Sequence, residues 1–244
     1  MRPLTASELL SVWERAATQS AHTWALMLLA AACPDESLEE LERLSIGRRD
    51  LRLLTLREWM FGPELNSVIA CAACAAKLEL NLTVRSLKTR QPKEHTERLS
   101  LSTNGLDVEF RVPNSLDLEA AARVPDFAAA RTLLLDRCLE RASLAGQSVA
   151  AADLPADVVD AIANRMATAD PQADLQLALE CPSCGHRWQA LFDIARYSWR
   201  EIDGWAVRIL KEVHTLARAY CWAEADILSM TPVRRRAYLD LVLA

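Results

Sequence analysis

Two CxxC pairs, Cys71/Cys74 in "NSVIACAACAAKLELNL" and Cys181/Cys184 in "LQLALECPSCGHRWQALF", restrict this chain more than any other feature. Two intervening residues let both sulfurs of a pair reach one ion from a single turn, at about 2.3 Å for zinc. The second pair sits in strand–turn–strand order, and the first fits the same pattern. Together they predict a zinc ribbon with one structural zinc per chain, held by Cys71, Cys74, Cys181 and Cys184. Residues 75–180 lie between the pairs, so the segment 88–170 becomes an insertion within one ribbon. Pro182 and Gly185 suit a tight turn, whereas "CAAC" lacks both. His186 follows Cys184 by two residues and is expected to point off the strand. A closed four-thiolate site holds shape, because catalytic zinc keeps an open position and usually takes histidine or carboxylate ligands. Two other readings stay open: a metal-free remnant, and a redox pair. The redox reading asks for a helix start in a βαβ context, which neither pair has.

The other three cysteines, Cys33, Cys138 and Cys221, stand alone in helical-looking sequence and are expected to be buried small hydrophobes. A disulfide framework is not expected, since the start of the chain lacks a secretion signal and the expected place is the cytoplasm of the producing cell. The most apolar segment, 22–33, is far shorter than the ~20 residues that span a bilayer, so no membrane partner is expected. Six glycines disfavour a glycine-rich phosphate loop, and no GxGxxG or GxxxxGK[ST] is present.

The pattern along the chain is α+β. "TASE" at 5–8 predicts a capping box, followed by an apolar stripe of Leu9, Leu10, Trp13, Ala16 and Ala17. Further helices are expected at 22–32, 36–44 and 45–62. Residues 77–87 alternate and read as a strand, 88–97 as a loop, and 98–112 as a hairpin turning at Asn104-Gly105. Leu99, Leu101, Val108 and Phe110 should form its buried face. Helices capped by Asn114 and Asp126 come next; the second runs to about 142, and a flexible connection covers 143–155. A helix at 156–168 and alternating strands at 173–180 and 187–194 follow. A long helix then carries Ile202, Trp205, Ala206, Ile209, Leu210, Val213, Leu216, Ala217 and Tyr220 on one stripe. Helices at 223–229 and 232–243 close the chain, the last capped by Thr231 with Pro232 at its first position. The expected organisation is a helical region 1–62, a ribbon and β region 63–195 and a helical region 196–244, joined as one unit.

Nothing here looks catalytic. Cys221 and His214 are seven residues apart on one helix, too far for direct contact, and HExxH and GxSxG are absent. A net charge of −5 argues against a protein that coats nucleic acid. "RR" at 48–49 and "RRR" at 234–236 are runs short enough to be solvated surface. A zinc-ribbon nucleic-acid-binding or transcription-associated protein is the alternative.

Three segments in order carry a resemblance: "LSIGRRDLRLLTLREWMFGPEL" at 44–65, "FRVPNSLDLEAAA" at 110–122 and "EVHTLARAYCWAEADILSMTPVRRRAYLDLV" at 212–242. Together they resemble the T-even-type phage baseplate proteins, often called baseplate hub assembly chaperones. The resemblance implies a non-enzymatic assembly factor for a contractile tail or phage-like injection apparatus, with hub, spike or wedge proteins as partners. Retention in the finished particle is left open by it. Tyr197, Trp199, Trp222, Arg234 and Arg235 are the expected partner-binding residues, since aromatics and arginine are enriched at interface anchors.

Overall fold

The computed structural model describes residues 1–89, 98–103 and 105–243. Most of the 88–97 loop and the turn residue Asn104 lie outside the described residues. In chain order the helices are α1 Ala6–Ala16, α2 Ala21–Ala32, α3 Leu38–Glu42, α4 Ile46–Phe61, α5 Val84–Leu87, α6 Ser115–Ala122, α7 Phe127–Cys138, α8 Ala156–Ala169, α9 Ile194–Tyr220, α10 Glu224–Ser229 and α11 Pro232–Leu243. The strands are β1 Glu64–Ala70, β2 Lys77–Thr83, β3 Leu99–Thr103, β4 Leu106–Phe110, β5 Leu139–Leu144, β6 Gln147–Ser148, β7 Gln176–Glu180 and β8 Arg187–Leu191. Mixed helix and small antiparallel sheets agree with the α+β expectation. The chain divides into two compact units, one of Met1–Ser37 with Ile194–Ala244 and one of Leu38–Asp193.

The first unit is all helix. Its spine is α9, against which α1, α2, α10 and α11 pack. The 3.6-residue period gathers Ile202, Ala206, Ile209, Val213 and Leu216 on one buried face, while Leu210 turns outward. Ile227 and Leu228 of α10 and Leu239 of α11 complete that core, with Trp222 partly buried against it. The capping box forms as expected: Thr5 accepts from the Glu8 N–H, and the Glu8 carboxylate accepts from the Thr5 N–H. Trp13 Nε1 donates to Asp203 at 2.9 Å, which satisfies the indole at the edge of this core.

The second unit holds three antiparallel sheets: β1–β2, β3–β4–β5–β6 and β7–β8. The four-stranded sheet buries Leu99, Val108 and Phe110, with Leu101 partly covered, against Val158 and Ile162 of α8. Three expectations need correction here. The strand read over 77–87 stops at Thr83, because Thr83 and Ser86 form a capping box that starts α5. The helix read to 142 stops at Cys138, and Leu139–Leu144 pairs with β4 instead. The connection 143–155 then contains β6, a strand too short for its alternation to register in sequence.

Candidate metal centre

The strand pair β1–β2 opens at Ala70 and Lys77, and β7–β8 opens at Glu180 and Arg187. Each opening carries a CxxC turn, and the two turns make the same hydrogen bonds. The Cys71 N–H donates to the Ala76 carbonyl at 2.9 Å, and the Ala75 N–H donates to the Cys71 carbonyl at 2.9 Å. In the second turn the Cys181 N–H donates to His186 O at 2.9 Å, and the Gly185 N–H to Cys181 O at 2.8 Å. The residue after the second cysteine has positive φ in both: 59° at Ala75 and 71° at Gly185. Glycine adopts that conformation freely, whereas alanine does so at a cost of roughly 1–2 kcal/mol. The missing glycine in "CAAC" therefore strains the first turn without changing its shape.

The turns face one another. Cys71 Sγ lies 3.8 Å from Cys184 Sγ, and Cys74 Sγ lies 3.7 Å from Cys181 Sγ. All four sulfurs fall within 4.8 Å of one another. Four 2.3 Å bonds to a tetrahedral ion would set sulfurs about 3.8 Å apart. A disulfide needs about 2.05 Å, so these are free thiols grouped in the manner of ligands. The sequence pairing of two distant motifs is thus met in space, and the donor set is compatible with a metal. Leu78, Ile69, Ala76 and Trp188 wrap Cys71 and Cys181 in a small apolar cluster, while Cys74 and Cys184 are exposed. The His186 ring stacks on Trp188 at 5.5 Å and is not among the grouped ligands.

Two of the thiols, Cys181 and Cys184, are displaced in opposite directions. Burial opposes ionisation of Cys181, but N–H groups of Ser183 and Cys184 and the neighbouring thiols outweigh it, and its pKa is lowered to about 6. At Cys184 the His186 N–H favours the thiolate, yet the sulfurs of Cys74, Cys181 and Cys71 prevail and push it up to about 12. Binding of a metal to such a cluster would release the thiol protons.

The expected partner residues fall in the helical unit but not on one surface. Trp199 is half-buried, with its ring 5.4 Å from Trp24, and Tyr197 is half-buried nearby in α9. Trp222 stacks on Tyr220 at 4.4 Å and meets Tyr238 edge-on at 4.8 Å, and Arg234 lies over the Tyr238 ring. Arg235 is a correction: only 5 % exposed, it pairs with Glu212 at 3.0 Å and donates to the Met230 carbonyl at 2.6 Å. Cys33 and Cys138 are buried as expected, whereas Cys221 is exposed at φ 57° just past the end of α9.

Sequence reasoning missed a buried polar framework in the second unit. Arg49, read as solvated surface, is 2 % exposed; it pairs with Asp50 at 2.7 Å and donates to Ser115 Oγ at 3.3 Å. Gly47 N–H donates to Asp170 at 2.8 Å, and a Cβ at Gly47 would stand 2.0 Å from the Asp170 carboxylate. Asp117, fully buried, accepts from Arg111, Arg137 and the Asn114 N–H. Ser45 bridges Asn114, and the Ile46 N–H donates to the Pro113 carbonyl at 3.1 Å. The segments 44–65 and 110–122 are therefore built against each other. A signal was available: Asn114-x-x-Asp117 is itself a capping-box pattern.

A family model described as T4 bacteriophage base plate protein matches residues 2–197. That span is most of the chain, and the protein belongs to this family. It contains all four grouped cysteines and the first two resemblance segments, while 212–242 lies beyond it. Neither the curated proteins nor the solved structures gave a match. Among the described residues, no helix is long and apolar enough to cross a membrane.

Proposed function

We propose that this chain is a non-enzymatic assembly factor, chaperone or minor component, for the baseplate hub of a contractile tail or related injection apparatus. The family match over residues 2–197 carries the reading. It acts by binding hub, spike or wedge proteins and covering their adhesive surfaces until assembly. Its place of action is the cytoplasm of the producing cell. Zinc is the ion we infer for Cys71, Cys74, Cys181 and Cys184, one per chain, on the strength of sulfur spacings of 3.7 and 3.8 Å. Its chemistry there is structural: a closed set of four thiolates leaves no position for substrate. The residues themselves tie two turns that are separated by more than a hundred positions, which fixes β1–β2 against β7–β8 within the second unit. On the helical unit, the Tyr220–Trp222–Tyr238 cluster with Arg234 offers the aromatic and arginine chemistry that anchors protein interfaces.

Affinity capture of the tagged protein from its native cells, with mass spectrometry of the eluate, tests the reading. Hub, spike or wedge proteins are the expected companions. Transcription or replication proteins retained with nucleic acid in a salt-dependent way would replace it with the nucleic-acid reading.

A further inference from the structure

The last helix, α11, has two apolar faces, and the helical unit uses one of them. Leu239 enters the core built on α9, with Tyr238 and Val242 partly covered there and Arg235 buried beside them. On the opposite side Val233, Ala237 and Leu241 recur every fourth residue, one above the other. That second stripe stands in solvent: Val233 is 81 % exposed and Leu241 69 %, with Ala237 exposed between them. A contiguous apolar row on a surface marks an interaction site. We propose that its occupant is the same stripe of a second copy, the two α11 helices lying antiparallel about a twofold axis at Ala237.

The residues beside the stripe select this partner. A stripe flanked by one sign of charge would call for a partner of the other sign; here the flanks carry both signs and match each other. Antiparallel pairing sets Val233 of each copy against Leu241 of the other and brings the two alanines together at the centre. Small side chains there let the helix axes approach closely. In such a pair each flank meets the same flank of the other copy, reversed end to end. One flank holds Arg236 and Asp240, paired at 3.0 Å within the chain. Reversal places Asp240 of each copy about 3 Å along the axis from Arg236 of the other, so four charges alternate in sign. The other flank holds Arg234, whose guanidinium lies 5.8 Å from the centre of the Tyr238 ring. Reversal brings each cation level with the ring of the other copy too. Parallel pairing fails the same test, because it sets Arg234 of one copy beside Arg236 of the other, cation against cation. One helix face against another buries less than about 1,000 Å² in total, the range of weak contacts. The dimer therefore dissociates on dilution.

Sedimentation equilibrium of the full chain over a wide concentration range reads the association. The mass should rise from the one-chain value of 27.1 kDa toward twice that value. Leu241→Glu, at a site exposed enough to leave the fold intact, should hold it at one chain. Arg236→Asp and Asp240→Arg should each weaken association severalfold, and the two together should restore it. Mild oxidation of Ala237→Cys should join two copies of the 237–244 tryptic peptide. Leu241→Cys should not couple to itself, since its two copies stand about 12 Å apart along the axis. A 241–241 disulfide would overturn the antiparallel arrangement. A one-chain mass at every concentration, or a dimer that survives Leu241→Glu, would overturn the proposal. If that monomer lost a captured tail protein on Leu241→Glu, the stripe would belong to that protein instead.

Discussion

The two compact units are stabilised by different physics. The helical unit, Met1–Ser37 with Ile194–Ala244, depends on an apolar stripe: Ile202, Ala206, Ile209 and Leu216 are all essentially buried, and Ile227, Leu228 and Leu239 close over them. The second unit, Leu38–Asp193, has an apolar core around Phe110, but it also buries Arg49, Asp50, Arg57, Asp117, Asp170 and Gln172 and holds the thiol cluster. Apolar burial is non-directional and tolerates exchange of similar side chains. Buried charges and thiolates are directional, and removing one partner leaves the other stranded. The second unit, which buries more such groups, should therefore be more brittle than the first, where the Arg235–Glu212 pair is the buried charge.

The largest expected effect is removal of the zinc proposed for the four cysteines. Structural zinc contributes ~10–16 kcal/mol in apparent terms to isolated finger peptides, and less is expected where a separate core exists. Chelation, or Cys181→Ser, should lower the stability of the second unit by roughly several kcal/mol, and with it its melting temperature, while the helical circular dichroism band of the first persists. A single unchanged transition would remove the contrast. Next comes Asp117→Ala, which strands Arg111 and Arg137 and should cost about 3–5 kcal/mol by denaturant titration. Leu216→Ala in the helical unit opens a cavity worth about 2–5 kcal/mol, whereas Leu216→Met should cost under about 1.5. No comparably mild replacement of Asp117 is expected, and finding one would weaken the comparison.

Two buried carboxylates extend the contrast to pH. At Asp117 burial opposes ionisation, but the Arg111 and Arg137 guanidinium groups and the Asn114 N–H outweigh it and lower the pKa below the ordinary 3.8. Its stabilisation is complete above about pH 4 and is lost as pH falls through the lower folded value. At Asp50 burial prevails over Arg49, with Asp193 and Asp170 adding repulsion, and raises the pKa to about 6. The folded state then holds a proton that the unfolded state has released, so stability declines as pH rises from about 4 to about 6 and is level above. Denaturant titrations across that window should show the decline, and Asp50→Asn should flatten it. The smallest effects lie in the CxxC turns. Gly185→Ala should cost about 1 kcal/mol, and Ala75→Gly should gain up to about the same, because only the first turn now carries the strain of a positive φ on alanine.

Legibility followed the same division. Helix periods, the Thr5 and Asn114 caps and the β3–β4 hairpin face were readable, because each is a local pattern repeated over a full element. The grouping of the four cysteines was readable despite its sequence separation, since CxxC spacing encodes a ligand geometry by itself. What escaped was determined by tertiary partners. Leu139–Leu144 has helical company in sequence and becomes a strand because β4 offers an edge. Arg49 and Arg235 sit in basic runs, and partners such as Asp50 and Ser115 for the first and Glu212 and Met230 for the second hold them inside. Glu212 lies 23 residues before Arg235, a separation that leaves no periodic trace.

The measurement that bears most directly on the account is zinc-edge X-ray absorption, with metal stoichiometry, on protein purified without chelator. One zinc per chain surrounded by four sulfurs at about 2.3 Å is the predicted result. A substoichiometric ion, or a shell containing nitrogen or oxygen ligands, would contradict the claim that Cys71, Cys74, Cys181 and Cys184 form one closed site.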